Sequence, residues 1–246
     1  MDLRERLVRQ GDWLFRRRSY LPLIILPVLL AALKDADWLE RVAVDAVEDG
    51  WELLCLAISL VGLAIRFFTV GYAPAGTSGR NTRGQKARVL NTTGVYSIVR
   101  HPLYLGNFVI TSGLVLSIGV WWFALISVLA FWLYYERIMI AEEDFLREKF
   151  GPLYSHWAEK TPAILPRFRN WQPPSLPFSV RTALKREYSG FFLVVGSFTL
   201  LDMGEDLFCG KPESNRGYLI LFIIAFILYL TLRTLKKTRI LEVKGR

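Results

Sequence analysis

Cysteine and histidine are scarce in this chain, with two of each among 246 residues. Cys55 lies in an apolar run and Cys209 in an acidic stretch, so together they offer neither a disulfide framework nor a zinc-binding pattern. We expect Cys55 to be a packing residue and Cys209 to be incidental. The sequence also lacks a phosphate-binding loop, a nucleophile triad and internal repeats, so it gives no support to metalloenzymes, P-loop enzymes or triad hydrolases.

Long apolar runs dominate what is present. Hydrophobic residues make up 52% of the chain and the mean hydropathy is +0.30, which is too apolar for an ordinary soluble domain. A helix that crosses a bilayer needs roughly 20 apolar residues and satisfies its own backbone there. The sequence therefore predicts an all-α polytopic membrane bundle of about six transmembrane helices. The predicted spans are residues 20–33, 51–71, 103–117, 121–137, 189–203 and 218–235.

Positive charge exceeds negative charge, and the two are separated along the chain. The net charge is +9, from 31 Lys and Arg against 22 Asp and Glu. With the six predicted spans, every basic block falls on one side of the membrane, as the positive-inside rule requires if both termini are cytoplasmic. Anionic headgroups then account for the charge without a nucleic-acid partner, in a bacterial inner membrane or an endoplasmic reticulum. The basic blocks are 4–18, 80–100, 137–186 and 233–246, and the acidic loops are 35–49 and 205–213.

Composition divides the chain into three regions and a linker. Residues 1–73 hold the first pair of predicted spans, residues 74–171 a motif-bearing core, and residues 178–246 a C-terminal pair of spans. Residues 172–177 are rich in proline, which disfavours a continuous helix. The charged section at the N-terminus is long and no small-residue cleavage site follows it, so we expect no secretory signal.

The most informative motif is Arg100-His101-Pro102-Leu103-Tyr104-Leu105-Gly106, which stands where the chain is expected to enter lipid. Ionisable groups there are often functional, although an arginine can also snorkel to the headgroups. Pro102 biases His101 away from helical geometry and itself suits a first helical turn. The helix is therefore predicted to start near Leu103, with an N-terminus that suits an anionic group and Arg100 beside it as a two-pronged donor.

Two residues one turn into that helix could contact a ligand. The Tyr104 ring could lie against a cofactor, and Gly106 could let a ligand or a neighbouring helix approach the backbone. An interfacial tyrosine anchor and a small-residue helix contact explain the same residues equally well. The spacing does not separate these interpretations.

An acidic doublet, Glu142-Glu143, follows the fourth predicted span. Adjacent residues on a helix point about 100° apart, so at most one of the two carboxylates faces a given pocket well. Such a carboxylate could hold an ammonium or a ribose hydroxyl. The alternative is that the doublet forms the solvated first turn of an amphipathic helix.

An amphipathic stretch, residues 145–150, comes next and is typical of a helix lying in the membrane interface. Gly151 and Pro152 interrupt it before Tyr154 and Trp157. His156 could act as a base, but a lone histidine is more often an ordinary surface residue. We leave its participation open.

Together, the R-H-P-x-Y-x-G string, the acidic doublet and the segment 161–166 resemble the core of the isoprenylcysteine carboxyl methyltransferase and phospholipid methyltransferase superfamily, over about residues 87–166. The resemblance implies a membrane enzyme that binds S-adenosylmethionine in a cytoplasmic-side pocket, with Arg100 as the catalytic residue and no metal. It implies that the cofactor is bound by His101, Pro102, Tyr104, Gly106, Glu142 and Glu143.

The leading hypothesis is an isoprenylcysteine carboxyl O-methyltransferase-like enzyme that methylates a lipidic or prenylated acceptor. Phospholipid N-methylation is the alternative within the superfamily. A membrane NADPH-dependent sterol-type reductase shares the string but usually carries Asn after the proline and an acid after the glycine, where this chain has Leu103 and Asn107. A noncatalytic lipid-binding protein is the remaining class. The C-terminal pair of spans exceeds the simplest family layout, so its role and the acceptor stay open.

Overall fold

A computed structural model describes residues 2–35, 45–74, 76–77, 85–209 and 216–243. Over these ranges the protein is all α-helical, without a β-strand, and the predicted fold class is confirmed. Most of the two predicted acidic loops, and residues 80–84 and 244–246 of two basic blocks, lie outside the described residues. The α-helices are α1 (Leu3–Arg17), α2 (Leu26–Lys34), α3 (Asp45–Tyr72), α4 (Val95–Ile98), α5 (Pro102–Ser117), α6 (Trp121–Phe150), α7 (Pro152–Lys160), α8 (Val180–Cys209) and α9 (Arg216–Lys237), with 3₁₀ turns at Leu21–Ile25 and Phe168–Asn170.

Three helices in the described part of the chain are long and apolar enough to cross a membrane: Gly50–Tyr72 within α3, all of α6, and all of α9. Their lipid-facing character is visible in large exposed apolar side chains such as Trp132 and Ile227. The protein is therefore an integral membrane protein. Segment Leu23–Lys34 and helix α5 are apolar but shorter, and the predicted span 189–203 lies inside the longer α8, so six spans remain a prediction.

Helices α3 and α5 form the most extensive pair, and small residues bring their backbones together. A Cβ atom on Gly62 would lie 2.6 Å from the Gly106 carbonyl oxygen, and one on Gly106 would lie 2.5 Å from Arg66 Cγ. Ser59 adds an interhelical hydrogen bond, its hydroxyl donating to the Ile110 carbonyl at 2.9 Å. Close approach through small residues and hydroxyls is the usual way in which membrane helices associate.

Helix α1 is amphipathic and packs against α6, a feature that the sequence analysis did not predict. Its start is fixed by a capping box, in which Asp2 and Glu5 satisfy each other's backbone N–H groups. Its buried Phe15 faces the protein, and Arg4 pairs with Asp144 of α6. This helix places its C-terminal end at the rim of the cavity described below.

The proline-rich segment is non-helical and docks on the core rather than hanging free. Gly94 N–H donates to the Gln172 carbonyl at 3.0 Å, and Ser179 N–H donates to the Gly71 carbonyl of α3 at 3.0 Å. Phe178 packs against aromatic rings of α3, with its centroid 5.0 Å from that of Tyr72. Helix α8 therefore begins against α3 and continues along it.

Candidate active site

A cavity of about 580 Å³ opens between α3, α5, α6 and α8, with α1 and α7 at its margin. Its volume lies within the usual range for small-molecule pockets. Aromatic side chains supply much of the lining, and charged groups converge on it from two sides. The motif residues lining it are Arg100, His101, Pro102, Leu103, Tyr104 and Glu142.

The R-H-P motif is held at the cavity by the segment that follows α7. Arg100 N–H donates to the Pro162 carbonyl at 2.9 Å, and His101 N–H donates to the Ala163 carbonyl at 3.3 Å. His101 has φ −119° and ψ 60°, outside helical geometry, and α5 starts at Pro102, one residue before the predicted start. The backbone at the start of the motif is thus fixed by bonds within the protein.

Glu143 holds the two basic side chains of the motif. Its carboxylate accepts from Arg100 Nη1 at 3.0 Å and lies 3.0 Å from His101 Nε2. The Arg100 fork is therefore partly occupied by a resident carboxylate, whereas we had expected both prongs to face a ligand. Arg100 Nε is buried and has no hydrogen-bond partner among the described residues.

Glu142 takes the complementary position in the cavity wall. Its carboxylate lies 3.7 Å from His101 Nδ1 and beside the Tyr104 hydroxyl. Tyr104 in turn stacks on His101, with ring centroids 5.6 Å apart. One glutamate of the doublet thus faces the cavity while its neighbour braces the motif, as the helical offset of about 100° requires.

The structure places two of the predicted site residues outside the cavity lining and excludes one alternative for the acidic doublet. Glu143 does not line the cavity, and it contacts the site through Arg100 and His101. Gly106 does not line it either, because its backbone faces α3. The doublet does not open a separate amphipathic helix, because α6 runs unbroken through it to Phe150. A turn of the helix beyond the membrane-spanning run, rather than a new element, carries both glutamates.

Helix α7 closes the site behind Glu143. Gly151, with φ +53°, ends α6 in a conformation that a side chain disfavours, and the chain turns directly into α7. Tyr154 is fully buried, and burial together with the nearby Glu143 carboxylate raises the pKa of its hydroxyl, which therefore stays protonated. His156 is exposed, lies 3.0 Å from Lys160 Nζ, and does not line the cavity.

The opposite wall is a polar network that the sequence analysis missed. Arg66 of α3 makes a two-pronged pair with Glu187 of α8, at 2.9 and 2.8 Å. Its remaining Nη1 donates to Asn107 Oδ1 at 2.6 Å, and Asn107 Nδ2 donates to the Tyr135 hydroxyl at 2.9 Å. All four side chains line the cavity. One signal was available: Arg66 is an ionisable residue inside an apolar run, where such groups usually have a partner and a role.

Basic residues outnumber acidic residues in the cavity lining. Among the described residues, seven arginines and lysines line it against two glutamates. This imbalance raises the local concentration of anions and disfavours an uncompensated cation. No group of three or more metal-ligating side chains occurs in the described part of the chain. The basic lining residues are Arg18, Arg66, Lys86, Arg100, Lys185, Arg186 and Lys236.

Comparison with known proteins places the chain in a family. The phospholipid methyltransferase family matches residues 53–152. The chain is 31% identical over 85 residues to a protein-S-isoprenylcysteine O-methyltransferase of Schizosaccharomyces pombe, covering 35% of this chain and 36% of that protein. It is 31% identical over 160 residues to the cobalt-zinc-cadmium resistance protein CzcN of Cupriavidus metallidurans, covering 62% and 71%. The protein belongs to the phospholipid methyltransferase family. The resemblance drawn from the motifs is confirmed.

The matched region covers part of the cavity lining. It begins in α3, so Arg66 and Asn107 fall inside the matched region, whereas Glu187 lies beyond it. A further relative is the nickel-cobalt-cadmium resistance protein NccN of Alcaligenes xylosoxydans xylosoxydans, 36% identical over 115 residues. The chain spans about half the length of that relative, at 47%, and 36% of the yeast protein. No solved structure matches the chain.

Proposed function

We propose that the protein is an S-adenosylmethionine-dependent methyltransferase that acts on a lipidic or prenylated acceptor, in the manner of an isoprenylcysteine carboxyl O-methyltransferase. The observation that carries the proposal is the convergence of Arg100, His101, Tyr104 and Glu142 on one cavity of a membrane-embedded helical bundle. Family membership supports the reaction class. The cavity chemistry supports the cofactor.

The lining residues fit S-adenosylmethionine. This cofactor carries a sulfonium, an ammonium, a carboxylate and an adenine ring, and it supplies an electrophilic methyl group. Glu142 offers a carboxylate to the cationic end, and Arg100 offers a guanidinium to an oxygen. Tyr104 and Trp157 offer aromatic surface to the ring and to a cation. We propose His101 and Pro102 as the remaining cofactor contacts, with Glu143 holding Arg100 and His101 in place.

Positioning is the main contribution of the protein to such a reaction. The backbone bonds to Pro162 and Ala163 fix the motif, and Glu143 fixes the Arg100 guanidinium. A rigid wall of this kind can hold two reactants at attack distance, which is the largest entropic saving available to a methyl transfer. An oxyanion acceptor needs no general base, whereas an amine must first lose a proton. The exposed position of His156 and the basic lining favour an oxyanion over the phospholipid amine alternative.

We propose that the cavity opens to the cytoplasm and that both termini are cytoplasmic. The support is the positive-inside pattern together with basic residues concentrated around the cavity. Cysteines introduced singly at Asp45 and Ser214, in a chain lacking Cys55 and Cys209, should react with a membrane-impermeant reagent from the outer face only. Reaction from the cytoplasmic face at either position would contradict this topology.

The names of two relatives suggest metal resistance as a physiological setting. We propose that any such role proceeds through modification of a membrane component. The supporting observation is that the ionisable groups of the motif are engaged with each other, His101 lying between Glu142 and Glu143. Growth of a deletion strain in cadmium, with parent or Arg100→Lys protein restored, tests the link. Equal rescue by both proteins would separate resistance from methyl transfer.

The function is tested by titrating purified protein with S-adenosylmethionine and, separately, with NADPH. We expect saturable binding of the former, weakened by Glu142→Gln, and transfer of its labelled methyl group to a lipid extract. Binding of NADPH alone would favour the reductase, and binding of neither, with lipid still bound, would favour a noncatalytic lipid-binding protein.

A further inference from the structure

The polar network opposite the motif has a fixed direction. Glu187 is 5% exposed and Arg66 is 19% exposed, so the ion pair is largely withdrawn from solvent. A guanidinium has only donors, so Arg66 must face the oxygen of the Asn107 amide and cannot accept from its nitrogen. The amide nitrogen is thereby turned towards the Tyr135 hydroxyl. The Arg66–Glu187 ion pair therefore sets the orientation of the Asn107 side-chain amide on α5.

The network ends in a hydroxyl at the cavity. The Tyr135 oxygen accepts from Asn107, so its own hydrogen is left for another acceptor. The ring is held in place by neighbours, with centroids 5.0 Å from Tyr104 and 4.2 Å from Phe131. Because hydrogen bonds polarise one another in a low dielectric, a donor backed by an amide and a guanidinium is stronger than an isolated phenol. The arrangement suits an acceptor oxygen with negative charge.

The cavity that Tyr135 lines also favours an anion. The C-terminal helices contribute Lys185 and Lys236 to the same cavity lining. Glu187, the acid within the network, is paired with Arg66 through both of its oxygens. An ammonium headgroup would meet uncompensated positive charge here, while a carboxylate or a phosphate would be attracted.

We propose that Tyr135 is a binding residue for the oxyanion of the methyl acceptor, and that Glu187, Arg66 and Asn107 are positioning residues that aim its hydroxyl. The inference rests on the proposed methyltransferase function and assigns the acceptor side of that same cavity. It gives α8 a role in acceptor recognition, since Glu187 anchors the network from outside the region that matches the family. The headgroup is an oxyanion on an amphiphile, carried by either a carboxylate or a phosphate.

The decisive variant is Tyr135→Phe, with Tyr134→Phe as its matched control. Tyr134 is the neighbouring residue on α6, its hydroxyl has no hydrogen-bond partner in the described structure, and it does not line the cavity. Equilibrium binding is measured for S-adenosylmethionine, for an S-prenylated N-acetylcysteine with a free carboxylate, for its neutral carboxamide, and for phosphatidic acid. The two anionic ligands distinguish a carboxylate source from a phosphate source.

We expect Tyr135→Phe to weaken binding of whichever oxyanion the parent prefers by about ten- to a hundredfold, the range for a lost hydrogen bond to a charged group. Binding of S-adenosylmethionine and of the carboxamide should stay within about twofold, and Tyr134→Phe should change nothing. Equal weakening of acid and carboxamide would overturn the inference, as would no weakening at all or a parent that binds neither anion. Failure of the parent protein to bind S-adenosylmethionine would instead overturn the proposed function.

The positioning role is tested by Asn107→Leu, which leaves the Arg66–Glu187 pair intact. Acting through Tyr135, Asn107→Leu should weaken binding of the acid alone, and should weaken it little further when Tyr135 is already Phe. Additive losses in the double variant would show that Asn107 acts independently of Tyr135. That result would contradict the positioning role. Protein level and unfolding temperature in detergent accompany each measurement, so that a folding defect is recognised.

Discussion

The two charged walls of the cavity are built in different ways. On the motif wall, Arg100 and Glu143 are 18% and 20% exposed, and the cluster is braced by backbone bonds from the segment after α7. On the α8 wall, Arg66 and Glu187 are 19% and 5% exposed, and they join helices distant in sequence. The first wall comes from residues close to recognisable motifs. The second depends on tertiary packing.

The difference predicts which property each wall controls first. A charge buried with a single partner is destabilising when that partner is removed, because the cost of desolvating it remains. A partly exposed cluster can exchange a protein partner for water or for a ligand at lower cost. We therefore expect damage to the α8 wall to reduce stability first, and damage to the motif wall to reduce binding and turnover first.

The largest effect is expected from Glu187→Ala, which leaves Arg66 without its carboxylate. Loss of one member of a buried pair costs roughly 3–5 kcal/mol. The unfolding temperature in detergent should fall strongly, and the double replacement Arg66→Met with Glu187→Leu should recover most of it. Glu143→Ala, on the other wall, should lower the unfolding temperature far less. Equal losses from the two single variants would erase the distinction between the walls.

Next comes Arg100→Lys, which keeps the charge of the motif wall but loses its planar donor geometry. We expect normal protein levels and a loss of about ten- to a hundredfold in methyl transfer, as for a charge-assisted contact made in the transition state. The control is Arg137→Lys on α6, an arginine outside the cavity lining. Turnover of Arg100→Lys within about twofold of the parent would identify Arg100 as a headgroup anchor, since lysine snorkels equally well.

A smaller effect is expected where α3 and α5 touch. Gly62→Ala would place a Cβ 2.6 Å from the Gly106 carbonyl oxygen and from the Ile110 backbone nitrogen, which cannot move aside as a side chain could. Overpacking of this kind costs about 1–3 kcal/mol. Gly50→Ala is the control, since a Cβ there meets nothing within 4 Å. Unfolding temperatures that fall equally for both would show that helix propensity, not close packing, governs the pair.

The smallest effect belongs to His156→Ala. The side chain is exposed and its ring lies 3.0 Å from Lys160 Nζ at the surface, so stability should change by less than about 0.5 kcal/mol. The pH profile of methyl transfer should be unchanged as well. A profile that loses its dependence near neutral pH would place this histidine in the reaction after all.

The motif wall could be predicted from the sequence because each of its motifs is a short, contiguous stretch of the chain. Pro102 fixes the start of α5, and the helical offset predicts that at most one glutamate of the doublet faces the pocket well. The apolar runs gave the fold class for the same reason. Such features depend on neighbours in the chain, so their geometry can be argued without a structure.

The α8 wall could not be predicted in this way, because it is formed by residues that are far apart in the sequence. Arg66 and Glu187 are separated by 121 positions, and nothing in either local sequence names the other. The predicted span 121–137 is shorter than α6, because the apolar run ends well before the helix does at Phe150. Helix α1 was not predicted, because its many arginines mark it as a basic block and its helical periodicity is less obvious than its charge.

The most direct test of the account is a structure of the protein with S-adenosylhomocysteine bound. We expect the ligand in the cavity between the walls, with its ammonium facing Glu142 and with its sulfur on the side nearer Tyr135. The Arg66–Glu187 pair should remain intact. A ligand bound outside this cavity, or a cavity that stays closed and empty at saturating ligand, would contradict the central claim.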